Sequence, residues 1–273
     1  TWLLTRELPT PYLYSLDELL HKLPYWHKRS YSVASISAEG QLQLIVRLLE
    51  KGSAKMFGLA SGYLSHYCQI GSIIEGQLRN VSAHHNIAQN KPIILICAGS
   101  GLAGLKAQIA ARSFYDHQLH FNQHQLNNAQ LRNTELSNIQ DHKKTGASWL
   151  IFGERNSNPQ LPINQQLATL AATELTKLSC AFSQGLSQQA LDADDNNLVK
   201  IDAAKQQPPK YVQHVLYNEQ EAVKQWVNDG AIIYVCGCLS GMGEGVHQAL
   251  IDILGQATLE QLQLQQRYIR DVY

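Results

Sequence analysis

A glycine-rich turn, Gly99-Ser100-Gly101-Leu102-Ala103-Gly104, carries the clearest chemical signal in the sequence. It follows an apolar run at 92–97 and precedes a stretch of helical character. Glycines let the backbone approach a pyrophosphate, and amides at a helix N-terminus stabilise its negative charge. The turn therefore predicts a nucleotide site, with an ordinary tight turn as the alternative. An ordinary dinucleotide fold would also place an acid about 20 residues further on, where residues 123–125 are Gln-His-Gln.

The elements around this turn predict an α/β domain. Apolar strands alternate with helices from about residue 91. Such alternation indicates a parallel sheet with helices on both faces. The predicted strands are 92–97, 148–152 and 231–236, and the predicted helices are 102–112, 164–175 and 243–254.

The N-terminal third has a different pattern. A short helix is predicted over 16–23, and residues 29–36 and 41–49 form a predicted hairpin around the turn at 37–40. Short strands and glycine-containing turns continue to about residue 79, which predicts an antiparallel barrel. Residues 81–90 are polar and unpatterned. We therefore predict a partial antiparallel barrel over 1–90, followed by a parallel-sheet α/β domain over 91–273.

Composition excludes several function classes. Lys plus Arg and Asp plus Glu number 22 each, so zero net charge provides no electrostatic footprint for nucleic acid or an anionic membrane. No apolar run approaches the roughly 20 residues that span a bilayer. Five scattered cysteines indicate reduced thiols and a cytoplasmic setting. The start, Thr1-Trp2-Leu3-Leu4, predicts a piece of a longer protein.

Two polar segments, 113–146 and 184–209, are predicted to be surface insertions. The first contains His117, His120 and His124 at helix-like spacing. We expect solvated side chains there rather than a metal site, because no carboxylate or cysteine accompanies them at ligand spacing.

Seven motifs in chain order, spanning about residues 24–273, resemble ferredoxin–NADP reductase-type flavoproteins. The closest resemblance is to the reductase half of diflavin enzymes, the class of sulfite reductase flavoproteins and NADPH–haemoprotein reductases. The motifs occupy 29–35, 58–64, 91–104, 152–156, 181–184 continued by 210–214, 234–237 and 267–273.

The resemblance implies an FAD site in the N-terminal part. Arg29 would contact the FAD pyrophosphate, Tyr31 would pack on the flavin and Ser32 would lie near its N5 atom. Ser35 closes the same motif. Gly58 and Ser61 belong to a loop whose hydroxyl and amides bind FAD phosphates in the family. Only 28 residues precede Arg29, so the barrel is abbreviated and FAD affinity is the property most affected.

The resemblance also implies an NADPH site in the second domain. Gly99, Ser100 and Gly101 would hold the pyrophosphate, and Arg155 would reach an NADPH phosphate. The residues implied at the adenosine 2′-phosphate are Ser183, Gln184, Lys210, Tyr211 and Gln213. Most relatives carry Arg at position 184. A neutral amide cannot pair with phosphate as a guanidinium does, so we expect a weakened preference for NADPH over NADH.

The implied reaction is hydride transfer from NADPH to FAD. Ser32 would hydrogen-bond the flavin, Cys236 would pack against nicotinamide and Asp271 would stabilise positive charge on its ring. Tyr273 would cover the flavin and swing aside. Taken singly, these residues are more typical of a surface hydroxyl, a buried small residue, a solvated carboxylate and a frayed end. Their joint occurrence in matching motifs favours the catalytic interpretation.

The implied partner is a flavodoxin-like domain carrying FMN, or an acceptor protein with a haem or iron centre. Details of the motifs at 31–35 and 99–105 resemble bacterial membrane-anchored reductases, which implies the cytoplasmic face of the inner membrane for an anchored full-length chain. Two alternatives stay open. One is an NAD(P)H-binding module with a degenerate flavin site, favoured by the short barrel and Gln184. The other is a non-catalytic scaffold domain.

Overall fold

The computed structural model describes residues 15, 17, 28–51, 56–79, 90–128, 145–185 and 209–273. The chain divides into two compact units, residues 1–31 and 32–273. Of the helix predicted over 16–23, only Asp17 is described, and it is helical. The linker predicted over 81–90 lies outside the described residues except for residue 90. The proposed domain boundary near residue 90 stays a prediction.

The described residues of 32–51 and 56–79 form a hairpin, a pair of short strands and a short helical segment. Val33 bridges Leu44 in antiparallel fashion, and a 3-10 turn, Ser37–Glu39, closes the predicted hairpin. Two short strands, β1 (Glu50–Lys51) and β2 (Met56–Phe57), then pair antiparallel. Helix α1 (Leu59–Gly62) continues into a π-helical turn, Tyr63–Tyr67.

The helical turns at 59–67 correct the prediction of strands and turns throughout this region. Their sequence contains Leu59, Ala60 and Leu64, good helix formers that no alternating pattern opposes. The pairing in the described part of 32–79 is limited to the Val33–Leu44 bridge and the β1–β2 pair. A complete barrel therefore stays a prediction.

A five-stranded parallel sheet confirms the predicted α/β architecture. Its strands are β3 (Ile93–Ala98), β4 (Ser148–Glu154), β5 (Lys177–Phe182), β6 (Ile232–Gly237) and β7 (Tyr268–Val272), in the order β5-β4-β3-β6-β7. Every neighbouring pair is parallel. The three central strands are almost wholly buried because helices cover both faces, which explains their continuous apolar sequences.

Six helices in the described part of the chain cover the two faces of this sheet. They are α2 (Leu102–Asn128), α3 (Pro162–Thr173), α4 (Val212–Asn218), α5 (Gln220–Asn228), α6 (Glu244–Leu254) and α7 (Gln256–Leu264). Apolar residues of α2 and α3 pack with Leu95 and Phe152 in one core cluster. Those of α4 to α7 pack with Ile96 and Trp149 in a second cluster.

Helix α2 is much longer than predicted. It was expected to end at residue 112, with a surface insertion from 113, and it continues to Asn128. Residues 113–128 contain neither Gly nor Pro, so nothing in their backbone chemistry ends the helix there. Within the described ranges, no three potential metal-ligating side chains come together, and no helix is long and apolar enough to cross a membrane.

Arg112 joins α2 to the amino end of the sheet. Its side chain is buried and donates to the carbonyl oxygens of Lys91 (2.8 Å) and Gly146 (2.6 Å) and to the hydroxyl of Ser148 (3.2 Å). These bonds fix the starts of β3 and β4.

We expect Arg112→Met to lower the free energy of unfolding by about 3 kcal/mol, because it leaves these acceptors buried without their charged donor. Urea denaturation measures the loss. Arg155→Met removes an exposed guanidinium and serves as the matched control, for which we expect a change below about 0.5 kcal/mol. Equal losses in the two variants would contradict this account of Arg112.

Candidate functional site

The candidate site lies at the carboxyl edge of the parallel sheet. All five strands run in one direction, so the residues that follow them meet at the same edge. The strand order reverses between the neighbours β3 and β6, since β4 and β5 lie on one side and β7 on the other. Open α/β sheets bind ligands at such a switch point. The glycine turn follows β3 there, directly beside the end of β6.

The glycine turn is shaped by close backbone packing. Gly99 has a left-handed φ of 54° and begins a 3-10 turn, Gly99–Gly101, that leads into α2. A Cβ atom on Gly101 would overlap the carbonyl oxygen of Cys236 and lie 3.1 Å from the Cα of Gly237. Glycine is therefore needed here for packing, and the turn leads directly into the N-terminus of a long helix, an end that favours an anion.

Three predicted catalytic side chains come together beside this turn. Cys236 and Asp271 are register partners on β6 and β7, and the Cys236 sulfur lies 3.9 Å from Asp271 Oδ2. The Ser32 hydroxyl is hydrogen-bonded to the same sulfur. A Cβ on Gly104 would be 3.4 Å from this sulfur and 3.6 Å from the Cβ of Ser32. The structure thus places Ser32, Cys236 and Asp271 in one cluster.

The cluster keeps Cys236 as a neutral thiol. Burial, and to a smaller extent the negative charge of Asp271, raise its pKa to about 12. Hydrogen bonds from Ser32 and from the Gly104 backbone oppose this increase without reversing it. A thiol of this kind is a poor nucleophile, because the thiolate is the reactive form. Its suitable role is packing against a ligand.

Buried thiols predict a stability that falls in alkaline solution. Burial also raises the pKa of Cys97 well above that of an ordinary thiol. Above pH 9 the unfolded chain loses protons that folded Cys97 and Cys236 retain, so rising pH favours unfolding. We expect about 2 kcal/mol less stability per thiol at pH about 10.5 than at pH about 8, measured by urea denaturation. Cys97→Ala should reduce the slope by one proton, and an unchanged slope would contradict the assignment.

Tyr273 is held across the glycine turn. Its backbone N–H donates to Gly237 (3.0 Å), and its carbonyl accepts from Leu239 N–H (2.9 Å). Burial raises the pKa of its hydroxyl, and a hydrogen bond with the Ser100 side chain opposes part of that rise. The residue is nonetheless 63% exposed. Fixed backbone and exposed ring suit a side chain that covers a neighbouring ligand face and can move.

A second predicted group lies where β4 and β5 end. Gln184 N–H donates to the Arg155 carbonyl (2.9 Å), and Phe182 N–H donates to the Pro209 carbonyl (3.1 Å). These bonds bring the backbones of Arg155, Gln184 and Lys210 close together, and all three residues are exposed. Ser183, half-buried, is anchored through its N–H to the Glu154 carbonyl (3.0 Å).

Two predicted 2′-phosphate residues have other contacts. Tyr211 is exposed and its ring packs edge-on against His214, with centroids 5.4 Å apart. Gln213 lies against α6, where its amide nitrogen would be 2.9 Å from a Cβ on Gly245. Their roles at a phosphate stay predictions.

Several predicted FAD-binding residues have local structural roles. The Ser35 hydroxyl donates to the Gln41 carbonyl (2.9 Å) and accepts from Gln43 N–H (3.0 Å). The Ser61 hydroxyl accepts from Leu49 N–H (3.1 Å) and donates to the Gly58 carbonyl (3.4 Å). Both hydroxyls thus stabilise turns. Arg29 is exposed and Tyr31 half-buried in the first unit. The flavin-binding roles of these residues stay predictions.

Sequence reasoning assigned no role to two charged residues beside the glycine turn, although one of them lies within the motif at 152–156. Arg47 and Glu154 form an ion pair, and Arg47 Nη2 would lie 2.6 Å from a Cβ on Gly99. The acid was sought about 20 residues after the turn. The long helix α2 delays the next strand, so the acid at that strand's end is Glu154. Counting by elements rather than residues would have found it.

The chain is similar to the flavoprotein alpha-components of NADPH sulfite reductases. That of Vibrio cholerae serotype O1 is 27% identical over 281 residues, which cover 95% of this chain and 37% of the relative. That of Aliivibrio fischeri is 29% identical, covering 94% and 37%. That of Photobacterium profundum is 25% identical, covering 95% and 38%. No protein-family model matches. These matches confirm the resemblance to the reductase half of diflavin enzymes. The chain spans little more than a third of the length of these relatives.

Proposed function

We propose that this chain, a relative of the reductase half of diflavin enzymes, is an NADPH-dependent flavin oxidoreductase that transfers a hydride from NADPH to FAD. The observation that carries the proposal is the cluster of Ser32, Cys236 and Asp271 at the switch point of the sheet. Three motifs distant in the chain meet there with Tyr273 close by. A scaffold would have no need for that convergence.

The residues present fit a dinucleotide at the glycine turn. Gly99 and Gly101 bring backbone close to β6 in a space that a Cβ would fill, and α2 begins directly behind them. Arg47 adds a guanidinium against Gly99. A pyrophosphate suits this combination of helix N-terminus, small residues and cation. The fit to FAD is supported by the family relationship and by Ser32, while Ser35 and Ser61 already have partners.

When bound, the nicotinamide and flavin supply the hydride chemistry, and this chain supplies position and electrostatics. Ser32 holds its hydroxyl beside the Cys236 sulfur, at the point where flavin is proposed to lie. Cys236 presents a neutral thiol that excludes water without accepting a proton. Asp271 provides a fixed negative charge, which stabilises positive charge on a neighbouring ring. Tyr273 moves from the glycine turn to admit the nicotinamide.

The proposed 2′-phosphate site lies where β4 and β5 end. Arg155 and Lys210 supply two positive charges, and Ser183 supplies a hydroxyl. Gln184, whose backbone N–H is bonded to the Arg155 carbonyl, adds no charge. NADPH is therefore the proposed donor, with a smaller advantage over NADH than a guanidinium at position 184 would provide.

We expect Gln184→Arg to raise the ratio of kcat/KM for NADPH over NADH by about tenfold, because one charge-assisted pair with phosphate contributes about 1.4 kcal/mol or more. Steady-state assays with both nucleotides measure the ratio. Gln160→Arg, a change in the exposed turn before α3, is the control for added charge. An equal gain in both variants would assign the effect to net charge instead.

The onward acceptor is proposed from the relatives. They are flavoprotein subunits more than twice as long as this chain, and their name pairs them with sulfite reduction. We propose electron transfer from FAD to FMN on a flavodoxin-like domain, or to a haem or iron centre of a partner protein. A cytoplasmic location, on the inner face of the membrane for an anchored chain, belongs to the same proposal.

A second candidate is an NAD(P)H-binding module with a degenerate flavin site. It is favoured by the limited strand pairing within the described part of residues 32–79 and by the occupied hydroxyls of Ser35 and Ser61. One experiment separates the candidates. The chain is mixed with FAD, freed of excess, and titrated anaerobically with NADPH while the flavin band near about 450 nm is followed.

Retained flavin that NADPH bleaches is the expected result. Flavin that is retained and not bleached would contradict hydride transfer. A chain that binds NADP⁺ and retains no flavin would favour the second candidate.

A further inference from the structure

The Glu154 carboxylate occupies a position that resembles a bound phosphate. One of its oxygens, Oε2, pairs with the Arg47 guanidinium. The other, Oε1, accepts the backbone N–H of Arg155 at 2.7 Å. A guanidinium together with a main-chain amide is a donor set typical of phosphate sites. The Glu154 side chain is only 6% exposed, so this charge is held inside the site rather than in solvent.

The same guanidinium also faces the glycine turn. A Cβ atom on Gly99 would lie only 2.6 Å from Arg47 Nη2, so the guanidinium is packed against the turn. The Arg47 side chain is 35% exposed. Arg47 is thus within reach of both Glu154 and any phosphate at the turn. While Glu154 holds it, its charge is neutralised. The carboxylate itself would also repel an incoming pyrophosphate, since like charges at short range in a partly buried site interact strongly.

We propose that Glu154 is an internal competitor of the dinucleotide, occupying Arg47 in the empty protein and releasing it to the pyrophosphate on binding. The inference rests on the proposed function for the identity of the dinucleotide. Glu154 then sets the affinity of the site, because part of the phosphate–Arg47 interaction is spent on separating the ion pair. By weakening binding in this way, Glu154 would allow the dinucleotide to dissociate more readily.

A different role for Glu154 predicts the opposite result. If the carboxylate served to orient Arg47 toward the phosphate, its loss would leave the guanidinium disordered and binding weaker. Glu154→Gln separates the two roles, because glutamine keeps the size and the acceptor for Arg155 N–H while removing the charge.

The experiment measures the Kd of NADP⁺ by isothermal titration for the wild type, Glu154→Gln and Glu221→Gln. Glu221 is an exposed acid of α5 paired with Lys224, and it controls for the change in net charge. We expect Glu154→Gln to bind about tenfold more tightly and Glu221→Gln to stay within about twofold of the wild type. In an Arg47→Gln background the gain should vanish. Unchanged or weaker binding by Glu154→Gln would overturn the proposal.

Inorganic pyrophosphate is titrated in parallel, which separates this inference from the proposed function. Tighter pyrophosphate binding by Glu154→Gln, with no NADP⁺ binding by any variant, would support the competitor role and sink the proposed donor. If Glu154→Gln does not fold, a crystal structure of the wild type with NADP⁺ decides. An Arg47–Glu154 pair that stays intact beside the bound pyrophosphate would overturn the proposal, and an Arg47 moved onto the phosphate would support it.

Discussion

Replacing Asp271 by Asn is expected to slow the reduction of bound FAD by NADPH by about 10²–10³-fold. The Asp271 carboxylate is half-buried and lies 3.9 Å from the Cys236 sulfur, at the point proposed for the nicotinamide. Hydride departure leaves positive charge on the nicotinamide ring. A fixed negative charge at this position stabilises that charge in the transition state more than in the ground state. Its removal therefore lowers the rate rather than the affinity for NADPH.

Stopped-flow absorbance measures the rate, and its dependence on NADPH concentration gives the affinity separately. Asparagine retains the size of the side chain and the ring of NADPH is uncharged, so we expect the Kd for NADPH to change by less than about threefold. Asp229→Asn is the matched control. It removes an exposed carboxylate at the end of α5 that accepts a hydrogen bond from Gln225 and has no part in the cluster. A reduction rate within about threefold of the wild type would remove Asp271 from the mechanism.

The parallel sheet could be predicted from the sequence because its central strands are buried on both faces. Residues 93–97 and 232–236 are apolar throughout, and the observed bounds differ from the predicted ones by one residue. The outer strands lack that signal. Strand β5 carries Lys177 and Ser179 and is half-buried along most of its length, so no apolar run identifies it. Strand β7 is short, is half-buried at its carboxyl end and includes Arg270 and Asp271, so it has no apolar run either.

The candidate site was predictable where motifs are local, and unpredictable where it depends on tertiary placement. Ser32, Cys236 and Asp271 were named from three separate motifs, and their meeting follows from β6 pairing in register with β7. Arg47 and Glu154 are separated by 107 residues; Arg47 lies in none of the seven motifs, and the motif at 152–156 assigns no role to Glu154. Their ion pair exists because Arg47 lies against Gly99, a placement that no pattern in the sequence specifies.

Gly101→Ala is expected to destabilise the protein by about 4 kcal/mol and to abolish dinucleotide binding in the fraction that folds. A Cβ on Gly101 would overlap the Cys236 carbonyl oxygen and approach the Cα of Gly237 to 3.1 Å. Both atoms belong to the backbone of a central strand, so neither can move without breaking the register of β6 with its neighbours. The added methyl would also push the glycine turn away from the end of β6, where the dinucleotide is proposed to bind.

Gly104→Ala is the matched control, because it adds the same methyl group one helical turn further along. A Cβ there would lie 3.4 Å from the Cys236 sulfur and 3.6 Å from the Cβ of Ser32, which are ordinary van der Waals distances. We expect its free energy of unfolding, measured by urea denaturation, to stay within about 1 kcal/mol of the wild type or to rise, since alanine is the better helix former. The two variants together distinguish steric exclusion at the turn from a general intolerance of methyl groups. Equal stabilities for Gly101→Ala and Gly104→Ala would show that β6 and the turn can separate, and the close packing that shapes the proposed pyrophosphate site would lose its support.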